Sequence, residues 1–201
     1  MDTDDALTAR LATDLDGSFE ALVRAHQDRL YTIAARFLGD RHDAEEIAQD
    51  ALVRAYRALA EYDTERIRAL RLRAWLATIV LNLCRNRVAR RSPGATPLSL
   101  DLEAEDGRGS AEPASDPTAS PPAILERREA RRRWAALVRQ LPPMYRAPVV
   151  LRHVDGLSYP ELALVLDRPE GTIKAQVHRG LALLRTAFEA AERLEREEMT
   201  A

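Results

Sequence analysis

A single cysteine, Cys84, stands in the 201 residues. No disulfide can close within the chain, and no cysteine cluster can hold zinc, so a reducing compartment fits. Long apolar runs are missing too. The longest, Ala74 to Leu81, falls far short of the ~20 residues a membrane helix needs. The first residues, Met1-Asp2-Thr3-Asp4-Asp5, are acidic with no apolar stretch behind them, which excludes a signal peptide of the usual kind. These absences predict a soluble, cytoplasmic protein with no membrane insertion. Aromatic residues make up 5% and glycines number 8, and β-branched runs are scarce. Ala, Leu, Arg and Glu dominate, which is the composition of helices. The fold expected is all-α. Also lacking are a Gly-rich phosphate loop, a metal-ligand spacing and a Ser/His/Asp set. The four histidines, His26, His42, His153 and His178, lie scattered along the chain. The expectation is a protein that is not an enzyme and carries no cofactor and no metal.

The formal net charge of −2 hides strong segregation, and it is the distribution that sets the local field. From Arg66 to Arg91 there are eight arginines (66, 68, 71, 73, 85, 87, 90 and 91) and no Asp or Glu. From Ser92 to Ala123 there are six acids and one base, Arg108. That second stretch also holds six of the 11 prolines and shows little periodicity. A loop of that length inside a compact domain is improbable, so residues 92–123 read as a flexible, acidic, Pro-rich linker.

The linker divides two helical patterns. Residues 1–17 are acidic and weakly patterned, a ragged end or a short first helix. From Ser18, the residues Phe19, Leu22, Val23, His26, Leu30, Ile33, Ala34 and Phe37 share one helical face. Gly39 ends that helix. Asp40 or Asp43 caps the next, which runs to about Leu59. Glu61 to Leu70 reads as a charged loop, and a third helix spans about Arg73 to Arg91. Pattern returns at Ile124, breaks at Pro142-Pro143, and continues in a helix to His153 in which Pro148 predicts a kink. Ser158-Tyr159-Pro160-Glu161 has the form of a capping box. A short helix to Leu166, a turn at Asp167-Arg168-Pro169 and a last helix from Glu170 complete the chain. The reading is two small helical domains: an N-terminal bundle over 1–91 and a C-terminal helix-turn-helix domain over 124–201.

A short helix, a tight turn and a second helix form the arrangement whose second helix enters the DNA major groove. With Ile173, Val177, Leu181 and Leu184 turned inward, the opposite face carries Gly171, Thr172, Ala175, His178, Arg179 and Ala182, flanked by Lys174 and Arg185. Small residues permit close approach, and an arginine reaches guanine edges or phosphate. An ordinary helical hairpin with a solvated face is the plain alternative, and His178 taken alone reads as a surface histidine. In the third helix the acids are absent rather than interspersed, so ion pairing along the helix is not the purpose. Asn82 and Asn86 sit one turn apart beside Arg85, a surface suited to phosphate and base-edge contact. Trp75 reads as core, and Cys84 as a small buried residue rather than a nucleophile.

Two separate stretches resemble one family. Asp43 to Tyr56 (DAEEIAQDALVRAY) is similar to the core-binding helix of sigma-70 family RNA polymerase sigma factors, and Arg73-Ala74-Trp75-Leu76 through Asn82 to the promoter-melting helix that follows it. Leu141-Pro142-Pro143, Gly156 to Ala163, and Gly171-Thr172-Ile173-Lys174 resemble the C-terminal sigma domain. Two domains in this order with only a tether between them match the extracytoplasmic-function (ECF) subgroup. The resemblance implies a factor that binds core RNA polymerase, through the beta-prime clamp helices and the beta flap, and recognises promoter DNA. It implies polymerase contact by Glu46, Gln49, Asp50, Leu52, Val53 and Tyr56. Capture of unpaired −10 bases would fall to Arg71, Leu72, Arg73, Asn82, Arg85 and Asn86. Reading of the −35 element would fall to Thr172, Lys174, Ala175, His178 and Arg179. It also admits an anti-sigma protein as a partner. The sequence departs from the pattern in places: the approach from Asp63 to Leu72 is longer and more basic, Asn86 stands where Asp is common, Leu81 where Arg is common, and Asp167 where Gly is common. A conventional helix-turn-helix regulator remains the alternative, which would bind duplex DNA without polymerase. A pure protein-interaction module is the third reading, and the eight unopposed arginines argue against it.

Overall fold

The computed structural model describes residues 3–91 and 133–198. The predicted linker and the first part of the predicted second domain lie outside them. The first group of helices comprises α1 (Thr3–Thr13), α2 (Leu15–Leu38), α3 (Arg41–Glu61), α4 (Thr64–Arg68) and α5 (Leu72–Arg91). The second comprises α6 (residues 133–140), α7 (Pro143–Val149), a π turn (Val150–Val154), α8 (Tyr159–Leu166) and α9 (Glu170–Glu198). No strand occurs among the described residues.

Short polar side chains set most helix starts. Asp14 accepts from the Gly17 amide, so α2 begins at Leu15, ahead of the predicted Ser18. Asp40, not Asp43, caps α3 by accepting from the Asp43 amide at 2.8 Å. Asp63 accepts from the Arg66 amide at 2.7 Å and starts α4 inside the stretch expected to be loop. Gly39 ends α2 at φ +75°, the left-handed conformation that glycine reaches without strain.

In the first domain α2, α3 and α5 pack around Leu22, Leu30, Ile33, Ile47, Leu59, Leu76 and Val80, all buried. Ala44, Ala48, Ala51 and Ala55 line the inner face of α3, and their small size lets that helix lie close against α2. Helix α1 lays Leu7 and Leu11 over α2 and α4. Each fully buried leucine is worth about 1.5–3 kcal/mol of transfer free energy. The first helix is therefore an integral layer and not a ragged end.

In the second domain Pro148 lacks the N–H that would serve the Met144 carbonyl. The chain after it widens into the π turn, with the Asp155 amide reaching Val150 O at 3.1 Å and the Leu157 amide reaching Leu151 O at 3.0 Å. The expected kink takes this form. Arg146 is buried there, donating to the carbonyls of Leu141 (2.9 Å) and Arg139. Burial, and then the nearby Arg139 charge, push its pKa down to about 10. The Ser158–Glu161 capping box is formed as predicted. Asp167 closes α8 at φ 50°, ψ 54°, a left-handed position that Asp tolerates better than most residues.

The two domains touch. Leu151, Leu157, Leu162, Val165, Ile173 and Val177 form one continuous apolar cluster with the core of the first domain. Helix α5 packs on α8, and α2 on the π turn.

Candidate nucleic-acid and polymerase interface

Helix α3 is buried on its alanine face and open on the other. Glu46, Gln49, Asp50, Val53 and Tyr56 are exposed and share that outer face, while Leu52 is half-buried. Val53 is 48% and Tyr56 37% exposed. Tyr56 is held in place: its ring meets Phe19 edge-on at 5.0 Å, and its hydroxyl donates to Asp16 at 2.6 Å. That hydrogen bond, with the carboxylate's charge, pushes the Tyr56 pKa up. Glu46 is not a bare charge, because Arg87 of α5 pairs with it at 2.9 Å.

The six −10 candidates divide. Arg71, Asn82, Arg85 and Asn86 are exposed, and Arg85 donates to the Asn82 side-chain Oδ1 at 3.4 Å. Leu72 is 1% exposed and belongs to the core. Arg73 is half-buried and donates to the Asp155 carbonyl of the second domain. Trp75 is half-buried, with its ring centroid 6.2 Å from that of Tyr62. Cys84 is buried, and burial raises its thiol to about 12, which makes it inert as a nucleophile.

The five −35 candidates lie together. Thr172, Lys174, Ala175, His178 and Arg179 are all exposed along the first turns of α9. Lys174 pairs with Glu170 at 2.6 Å and lies 5.4 Å from the Tyr159 ring centre. The inner seats are Ile173, Gln176, Val177, Gly180 and Leu184. Leu181, expected inside, is 38% exposed. Seven residues after Ile173 return almost to the same direction on a helix of 3.6 residues per turn, whereas eight overshoot it. Gly180 takes the seat because α7 comes too close for a side chain: a Cβ there would lie 2.6 Å from Val149 Cγ2. Among the described residues no group of His, Cys, Asp and Glu could hold a metal ion, and no helix is long and apolar enough to cross a membrane.

The family model for sigma-70 region 2 matches residues 22–93, and the model for sigma-70 region 4 matches residues 131–184. The chain belongs to the sigma-70 family of RNA polymerase sigma factors, in its ECF group. The ECF RNA polymerase sigma factor SigE of Mycolicibacterium smegmatis is 34% identical over 168 residues, 84% of this chain and 60% of that relative. The chain thus spans less than two thirds of that protein's length. The ECF RNA polymerase sigma factor SigW of Bacillus subtilis is 31% identical over 171 residues, covering 84% of this chain and 87% of the relative. Among solved structures, CnrH in complex with the cytosolic domain of CnrY is similar at a TM-score of 0.65 and 25% identity, over 94% of this chain and 99% of that one. In this sigma factor the region 2 match covers most of α2 together with α3, α4 and α5, and the region 4 match covers the helix-turn-helix. Helix α1 lies ahead of both. Its signal in the sequence was the pair Leu7 and Leu11, four apart.

Proposed function

We propose that this sigma factor joins core RNA polymerase through the exposed face of α3, reads the −35 element with α9, and captures −10 bases with α5 and the segment before it. The observation that carries the proposal is the α9 face. Five residues suited to groove contact are all solvent-exposed, on a helix whose opposite side is buried. Lys174 and Arg179 supply charge for phosphate and base edges, Thr172 supplies a hydroxyl, and Ala175 leaves room for the groove. On α3, Gln49, Asp50, Val53 and Tyr56 present apolar surface with a polar rim, the make-up of a protein contact. Polymerase partners would be the beta-prime clamp helices for α3 and the beta flap for the second domain.

Promoter opening is part of the same proposal. Unstacking a base costs a few kcal/mol, and a pocket that receives it offsets the cost. Arg71, Asn82, Arg85 and Asn86, all exposed, would hold the displaced strand. The protein supplies binding and leaves bond chemistry to the polymerase, so it is not itself an enzyme. It acts where the polymerase acts, in the cytoplasm. CnrH is bound to CnrY in its solved complex, and an anti-sigma partner is proposed here by analogy. The domain boundaries proposed are 1–91 and 124–201, with 92–123 as linker.

The test is multi-round transcription from a promoter library with purified core polymerase, with and without the protein. Protein-dependent transcripts sharing two upstream elements at fixed spacing support the proposal. No transcripts, together with tight binding of the free protein to a duplex palindrome, overturn it.

A further inference from the structure

We propose that α1 is a brace for the −10 reading segment: Leu7 and Leu11 seat Ile67 of α4, and through it they fix where Arg66, Arg68 and Arg71 stand. The inference deepens the −10 reading and rests on it. Leu7, Leu11 and Ile67 are all buried, so they act as positioning residues and touch no DNA themselves.

The segment before α5 is strung between two anchors. Ile67 and Leu72 are buried in the core of the first domain, while Arg66, Arg68, Ala69 and Arg71 are exposed. The Leu72 end is secure, because it opens α5, whose Trp75 amide donates to the Arg71 carbonyl at 2.9 Å. The Ile67 end cannot be secured by its own helix. Helix α4 has five residues, well below the ~12–15 that an isolated helix needs to persist in water. Its local bonds are the Arg66 amide on the Asp63 cap at 2.7 Å and the Ala69 amide on the Glu65 carbonyl at 3.0 Å. These shape the turn without deciding where it sits. Ile67 is its buried residue, so the place of α4 is set by what Ile67 packs on.

Among the described elements α4 packs chiefly on α1. Helix α1 folds back along α2 at Asp14, where a φ of −145° breaks the run while the Asp14 amide still reaches the Arg10 carbonyl at 2.9 Å. The far end is drawn to α2 by Asp4, 3.5 Å from His26. Leu7, Thr8 and Leu11 form the inner face, all buried. The Thr8 hydroxyl is satisfied within the helix, on the Asp5 carbonyl at 2.9 Å. That face therefore demands no polar partner from α4 and offers Ile67 an apolar seat.

The brace aims side chains as well as backbone. Arg66 lies over the Tyr62 ring at 3.7 Å, and that ring meets Trp75 with centroids 6.2 Å apart. A guanidinium laid on an aromatic face is held there, so a shift of α4 shifts the charge. Recognition contacts must be held within about 0.5 Å by the residues behind them, and a misplacement of ~1 Å caused from outside a site can cost ~10²-fold. The region 2 match begins at residue 22, and α1 lies wholly ahead of it. The brace is thus supplied from outside the matched stretch.

The test uses the full-length protein with core polymerase. Open-complex yield, read by permanganate reactivity of unpaired thymines, is measured on a promoter with the mapped −10 element and on versions with single −10 bases replaced. The ratio of the two yields is the −10 discrimination. Leu11→Ala empties the seat, Leu11→Met refills it, and Ile67→Val trims the same contact mildly from the other side. Ile33→Val, a truncation of the same core two turns along α2 beyond His26, controls for lost stability. Lost stability alone lowers the yield on every promoter and leaves the ratio as it was. Leu11→Ala should lower the ratio roughly 5- to 20-fold, the size of one lost base contact. Ile67→Val should lower it less, and Leu11→Met and Ile33→Val should keep it, with −35 dependence unchanged throughout. A wild-type ratio in both Leu11→Ala and Ile67→Val overturns the brace, as does an equal fall in Ile33→Val. If Leu11→Ala does not fold, Ile67→Val decides alone. Arg71→Ala checks the −10 reading separately. Full discrimination in Arg71→Ala overturns that reading and the brace with it; discrimination lost there but kept in Leu11→Ala and Ile67→Val overturns the brace alone.

Discussion

Arg87 reaches from α5 to Asp43 of α3 at 2.6 Å and spreads its other nitrogen to Glu46 at 2.9 Å. One guanidinium thus ties the proposed DNA helix to the proposed polymerase helix, one of its carboxylates buried and the other exposed. The two ends of this fork should respond differently to mutation. Arg87→Ala should destabilise the first domain by about 1–3 kcal/mol, because buried Asp43 loses an ionic partner. Glu46→Ala should cost no more than ~1 kcal/mol, as exposed pairs do, while weakening binding to core polymerase. Denaturant melts beside a polymerase competition assay separate the two effects.

Gly180→Ala should destabilise the second domain by about 1–3 kcal/mol, the usual cost of overpacking. The new methyl would meet Val149 Cγ2 at 2.6 Å and Tyr145 Cβ at 3.3 Å, and α9 would have to shift off α7. A lower melting temperature with reduced −35 dependence is the expected pair of results.

Arg179→Ala should lower activity at −35-dependent promoters by ~1–3 kcal/mol if its side chain reads a base. The residue is exposed, so the melting temperature should stay put. Unchanged promoter preference in transcription assays would remove it from the reading set.

His26 is buried, with Nε2 3.5 Å from Asp4 of α1. Burial lowers its pKa below 6.5; Asp4 opposes this, and the Arg29 and Arg73 charges reinforce it. The neutral ring is the folded form. Below pH ~6.5 the unfolded chain takes up the proton more readily, so stability present above that pH is lost as pH falls toward the depressed value. His153 shifts the same way, through burial and then Arg152. Melts from pH 7.5 to 5 should therefore show a falling midpoint, and His26→Gln should flatten most of the decline.

Cys84 should resist a thiol reagent at pH 8 in the native protein and react fully after unfolding. Its thiol is raised to about 12 by burial. Fast native labelling would mean that α5 opens locally at that point.

Much of this was legible because the helices announce themselves. Gly39, Ser158 with Glu161, and Asp167 were readable as punctuation, since each does its work with neighbours a few residues away. The outward face of α9 followed from helical phase alone. Helix α4 was hidden because its five residues are too few to show a period, and only the Asp63 cap marks it. The start of α2 was hidden behind Asp14, which looks like one more acid in an acidic tail. Leu181 was put in the inner seat that Gly180 holds because a glycine carries no hydrophobic signal of its own; only the approach of α7 makes it the inner residue. The contact of Arg29 with Asp155 joins residues 126 positions apart. Locally, Asp155-Gly156 reads as a helix stop, and nothing nearby says what the carboxylate faces.

Helix α9 runs unbroken for 29 residues, about 44 Å at ~1.5 Å per residue. Its proposed readers occupy the first third, and beyond Leu184 none of its described residues is buried. The helix is thus a tiller pivoted near one end. A partner that grips Phe188 and the turns after it would swing Thr172 to Arg179 in the opposite sense about Gly180, with the long arm lending leverage. Seating in a DNA groove would, by the same rigidity, aim the free arm in one fixed direction.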